Sequence, residues 1–247
     1  NAPMPLRLVP RGSVAAAIGA LVCAVLTANS TAGTVDAQAA PTLLVPLYQT
    51  YLGVTDAGSQ PPVVEVSAPD GRVIARTTAR GQPNGDDWVI DLSPDADVGT
   101  KLILAPGMGI AVQTGRGDIE ARIPPIVIRG DADADAVAGA APGFAAVAVF
   151  LRVDALWLTD SAPGDPLILP VAPDGTFSSQ VGGLIDLRPG VWGEMAVQDA
   201  DGHVFTRPFA PAAAAVVWSR AYVQIRSDPD RPPVVKLKGP DGFETFR

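Results

Sequence analysis

The chain has 247 residues, 47% of them apolar and 18% charged, with 25 glycines, 25 prolines and, among 26 acidic residues, 22 aspartates against 4 glutamates. A formal charge of -8 removes the basic footprint of a nucleic-acid binder, and the excess of turn formers over helix formers argues against helical architectures. One cysteine and one histidine exclude disulfide frameworks, thiolate zinc sites and most histidine-based catalysis.

Arg7 and Arg11 precede an uncharged run over residues 14–26, closed by Asn29, Ser30, Thr31 and Asp36. A membrane span needs about 20 apolar residues, so this run is too short for one and has the length of a signal core. Ala37-Gln38-Ala39 places small residues at the two positions a signal peptidase reads. The predicted signal peptide is 1–39, and the mature chain starts at Ala40 with no membrane span. Cys23 falls inside the removed run, so the mature chain carries no cysteine.

Beyond it, residues 63–66 and 72–78 alternate with a period of two about the turn Pro69-Asp70-Gly71, which predicts a β-hairpin. Short strands are predicted next over 88–92, 101–104, 109–113 and 119–123. A second series is predicted over 146–153, 167–171, 176–180, 184–187, 193–198 and 203–209. Glycine, proline and aspartate clusters separate them, a spacing typical of β-sandwiches. Ala212 to Ala215 offers at most a helical turn beside Pro211 and the β-branched Val216 and Val217.

Internal similarity runs through this series. Pro61-Pro62-Val63-Val64 with Pro69-Asp70-Gly71 returns 171 residues later as Pro232-Pro233-Val234-Val235 with Pro240-Asp241-Gly242. Ala111-Val112-Gln113 returns 85 residues later as Ala196-Val197-Gln198, and Val147-Ala148-Val149-Phe150 fills the middle slot. The expected fold is all-β: tandem antiparallel sandwiches after the signal peptide, with module 1 over 40–130, module 2 over 131–219 and the start of an incomplete third over 220–247.

The run from Asp131 to Gly143 before Ala146-Val147-Ala148-Val149 resembles the junction of tandem bacterial immunoglobulin-like repeats of secreted or cell-surface proteins. Asp174-Gly175-Thr176-Phe177 and Leu187-Arg188-Pro189-Gly190 are also similar to segments of carboxypeptidase-regulatory-like domains. The resemblance covers roughly residues 60–247 and implies immunoglobulin-like modules, although the cysteine pair of antibody domains is absent.

Asp131, Asp133 and Asp135 alternate like the first ligands of a calcium loop, which would put calcium at the module junction. Ala136 and Pro142 stand where such a loop needs glycine and glutamate, so a solvated acidic linker competes with that reading. Trp157 and Trp192 are the candidates for a sugar-stacking contact, whereas Trp88 reads as core. Arg116-Gly117-Asp118 and Arg129-Gly130-Asp131 spell an adhesive tripeptide that ordinary turn chemistry also produces. The remaining aspartates fall in predicted turns, and His203 has no nucleophile placed beside it, so no catalytic residue is expected.

These readings give a secreted or cell-surface, non-catalytic repeat protein that serves as an extracellular spacer or surface-interaction segment and needs no cofactor. Its expected partners are neighbouring repeat modules and a cell-surface protein or polysaccharide, with no nucleic acid. The alternatives are a carbohydrate-binding module and an accessory region of a larger exported hydrolase.

Overall fold

A computed structural model describes residues 40–80, 84–92, 102–153, 166–187, 191–210, 213–217, 222–226, 235–239 and 242–246. The signal segment, Cys23, Trp157 and Trp218 lie outside them. Among the described residues there are eighteen strands and no helix, so the all-β expectation holds. Two compact units divide the chain. The first takes in Asn1–Val45, Gln49–Ile123 and Gln198–Phe205; the second takes in Pro46–Tyr48, Pro124–Val197 and Thr206–Arg247.

In the first unit, β1 (Thr42–Pro46) pairs antiparallel with β2 (Tyr51–Thr55), and β2 with β5 (Trp88–Asp91). Leu43 faces Val54, which faces Trp88, and all three are buried. Alternate residues such as Val89 are exposed, as a strand with one wet face requires. A second sheet has the order β4-β3-β6-β7, built from β3 (Val63–Ser67), β4 (Val73–Thr78), β6 (Gly109–Thr114) and β7 (Gly117–Arg122). Val64, Val66, Ile110, Val112 and Ile119 form its buried face. Two sheets with one buried face each are what a sandwich core needs.

The hairpin expected over 63–78 forms as β3 and β4, and Gly71, at φ 85°, takes the left-handed position of its turn. Residues 102–104 are not a strand. Leu104 is buried and its N–H bonds to the Gln49 carbonyl at 3.0 Å, so loop packing rather than sheet pairing holds this apolar stretch.

In the second unit, β10 (Ala146–Val153) pairs with β11 (Leu167–Pro170) and β13 (Val191–Gln198), and β14 (Val204–Phe209) follows β13 in sheet order. A three-stranded sheet joins β8 (Val127–Asp131), β9 (Ala136–Ala140) and β12 (Thr176–Gln180). Its β9 is Ala-Val-Ala-Gly-Ala, a poor strand by propensity. Gly139 explains its place: it sits opposite Phe177 in the register, and any Cβ there would overlap the Phe177 ring and the Val127 carbonyl. The bare backbone lets the ring lie over the strand and bury to 5% exposure.

Residues 184–187 are likewise not a strand. Leu184 and Ile185 donate to the Val181 carbonyl in a turn, and Leu187 donates to the Asp135 side chain. The chain ends in two strand pairs, β15 (Ala213–Val217) with β16 (Tyr222–Arg226) and β17 (Val235–Gly239) with β18 (Gly242–Phe246).

Candidate functional site

The acidic run expected as a linker is the tip of the β8–β9 hairpin. Asp131 Oδ1 accepts the N–H groups of Asp133 at 2.9 Å and Ala134 at 3.0 Å, an Asx turn. Asp135 has φ 46°, the left-handed conformation that aspartate tolerates better than most residues. Its Oδ1 accepts Leu187 N–H at 2.8 Å, and its carbonyl accepts Val181 N–H at 2.7 Å. Two of the three carboxylates are thereby engaged by backbone.

Asp131, Asp133 and Asp135 do not converge as ligands. Among the described residues, the set whose ligand atoms fall within 4.8 Å of one another is Asp199, Asp201 and His203. This set lies in the turn that leads into β14. Asp199 Oδ1 accepts Asp201 N–H at 3.0 Å and His203 N–H at 2.8 Å, and Gly202 takes the left-handed position at φ 85°. His203 is 5% exposed and its Nδ1 accepts Leu43 N–H at 3.4 Å. Ligation of a cation through Nδ1 would break this bond to β1. The sequence placed both aspartates in a turn and His203 at a strand start, but nothing in it marked the histidine's tie to β1.

Other turns repeat this use of aspartate. Asp174 Oδ1 accepts the Thr176 hydroxyl at 2.7 Å and its N–H at 2.9 Å. The hydroxyl first, then the amide, hold the Asp174 carboxyl below the ordinary carboxylate value. Asp70 takes Arg72 N–H at 3.0 Å. The first adhesive-type tripeptide is tied back: Arg116 donates to Asp86 at 2.5 Å and lies 3.7 Å from the Asp56 carboxylate. Asp56, at φ 54°, in turn donates its N–H to Asp87.

Trp88 is core at 4% exposure and donates from Nε1 to the Gly58 carbonyl at 2.8 Å. Trp192 lies on β13 opposite Arg152, half-buried, with Nε1 shielded from solvent. Trp157, the other candidate for a stacking contact, lies outside the described residues. Arg207 on β14, which the sequence did not single out, is 1% exposed and is held by the Tyr48 hydroxyl and the Ile126 carbonyl.

No family model matches the chain, and no curated protein matches it. Among solved structures it is similar to the Salmonella alpha-2-macroglobulin reacted with methylamine, at 12% identity over 87% of this chain and 20% of that one, TM-score 0.24. It is also similar to a tetra-tandem repeat in the extending region of a large adhesion protein, at 14% identity over 84% of this chain and 65% of that one, TM-score 0.22. A third is a bacterial ice-binding adhesin, at 15% identity over 70% and 62% of the two chains, TM-score 0.22. The chain thus spans about a fifth of the macroglobulin.

Proposed function

We propose that this chain is a secreted, non-catalytic repeat protein that acts as an extracellular spacer or surface-interaction segment. The observation that carries this reading is a recurrence of strand order. The order β4-β3-β6-β7 returns as β11-β10-β13-β14. Ala111-Val112-Gln113 lies on β6 and Ala196-Val197-Gln198 on β13, the corresponding strands. A recurrence of this kind suits a protein whose contribution is length and surface.

The ionisable groups support the same reading. Asp70, Asp131, Asp135, Asp174 and Asp199 hold turns, while Arg116 ties loops together. Ala37-Gln38-Ala39 supports export, and neighbouring modules with a cell-surface protein or polysaccharide are the partners that fit it.

The test is passage of the purified chain over insoluble cellulose, chitin and peptidoglycan, with release of soluble sugar measured alongside. The proposed chain releases no sugar, and any retention on these surfaces survives Trp192→Ala. Retention that Trp192→Ala abolishes would replace this reading with a carbohydrate-binding module, and sugar release would replace it with a hydrolase.

A further inference from the structure

We infer that a second copy of this chain docks edge to edge on the four-stranded sheet of the first unit, β7 of one copy against β4 of the next. Among the described residues, β4 and β7 are the two edges of that sheet. An edge strand turns half its backbone N–H and C=O groups away from its neighbour, where another strand can pair with them.

The edges carry opposite charge. Arg72 and Arg76 are exposed on the β4 side, and Asp118 and Glu120 are exposed on β7. Arg116 pairs with Asp86 and with Asp56, and none of these four takes part in either pair. Exposed edge charges ordinarily discourage pairing between like edges. Here they do so for β4 against β4 and for β7 against β7, while favouring β7 against β4.

The register sharpens the fit. Arg76 faces Glu65, Glu65 faces Ala111 and Ala111 faces Glu120, so these residues form one row across the outward side of the sheet. The neighbouring row runs Thr78, Val63, Gln113, Asp118. Every pairing in the sheet is antiparallel, so β7 of one copy and β4 of a copy displaced along the sheet are antiparallel as well. Continuing the rows sets Glu120 opposite the next Arg76 and Asp118 opposite the next Thr78, the oppositely charged and hydrogen-bonding pairs that stabilise strand contacts.

Because the two edges differ, the contact is head-to-tail and leaves both ends of an assembly open for further copies.

Sedimentation velocity of the full chain over a concentration series tests this, with far-UV circular dichroism as the check on folding. The wild-type chain self-associates. Arg76→Glu and Glu120→Arg each weaken association about tenfold or more, and an equimolar mixture of the two variants recovers it, because each then meets a complementary edge. Glu120→Lys replaces Glu120→Arg should the latter fail to fold. A wild-type chain that stays monomeric at millimolar concentration overturns the proposal, as do single variants that associate unchanged or a mixture that does not recover.

Discussion

The guanidinium of Arg207 lies 5.1 Å from the centroid of the Tyr48 ring and donates to the hydroxyl of the same residue at 3.1 Å. A second donation reaches the Ile126 carbonyl at 2.8 Å, with Arg207 at 1% exposure. Two donations from the guanidinium and a π face beneath the charge offset the burial of this cation. Arg207→Ala leaves both acceptors unsatisfied around a cavity and costs about 3 kcal/mol in urea unfolding. Tyr48→Phe keeps the ring, loses the hydroxyl and costs about 1 kcal/mol.

Asp135 gives a graded series. Asp135→Ala loses the bond to Leu187 and places alanine in a left-handed conformation, at a combined cost of about 2 kcal/mol. Asp135→Asn keeps an acceptor oxygen and the tolerance for that conformation, and stays within about 1 kcal/mol of wild type. Calcium at millimolar concentration leaves the melting temperature of the wild-type chain unchanged, since Asp131 and Asp135 already serve backbone donors. A calcium-dependent rise in melting temperature would restore the metal reading of the hairpin tip.

Gly139→Ala destabilises the chain by about 3 kcal/mol, because the added methyl meets both a carbonyl and the Phe177 ring. Gly183→Ala is the control. Nothing lies within 4 Å of its would-be Cβ, and the change stays within about 0.5 kcal/mol. Thermal unfolding of the two variants side by side reads the difference.

Asp174 sets a pH dependence of known sign. Its folded-state value lies below the ordinary carboxylate value of 3.8, through Thr176. The carboxylate therefore contributes stability that is present above its unfolded value and is lost as pH falls through the folded one. An NMR titration of Asp174 has its midpoint below 3.8 in the wild-type chain, and Thr176→Ala moves it upward. A midpoint that Thr176→Ala leaves in place would contradict the assignment of cause.

Much of the architecture was legible because alternation is a local signal. The strands over 63–66, 146–153 and 176–180 all lie where their period of two puts them. Residues 102–104 and 184–187 show where the same signal fails: an apolar stretch can be buried by loop hydrogen bonds to Gln49 or Asp135 that no local pattern encodes.

β9 failed in the opposite sense. Its strand character comes from Phe177, some forty residues away, covering a glycine, so the Asp131–Gly143 stretch read as a linker. The turn chemistry of the aspartates was legible from composition, whereas the tie between His203 and Leu43 and the burial of Arg207 depend on strands brought together by the fold.

On the proposed reading, the chain acts at the cell surface through its length. Energy transfer between a fluorescent protein fused beyond residue 247 and an acceptor dye in the membrane of cells displaying the chain on an N-terminal anchor measures this directly. The account predicts transfer well below that of a control in which the anchor carries the fluorescent protein alone. Transfer equal to the control would contradict it.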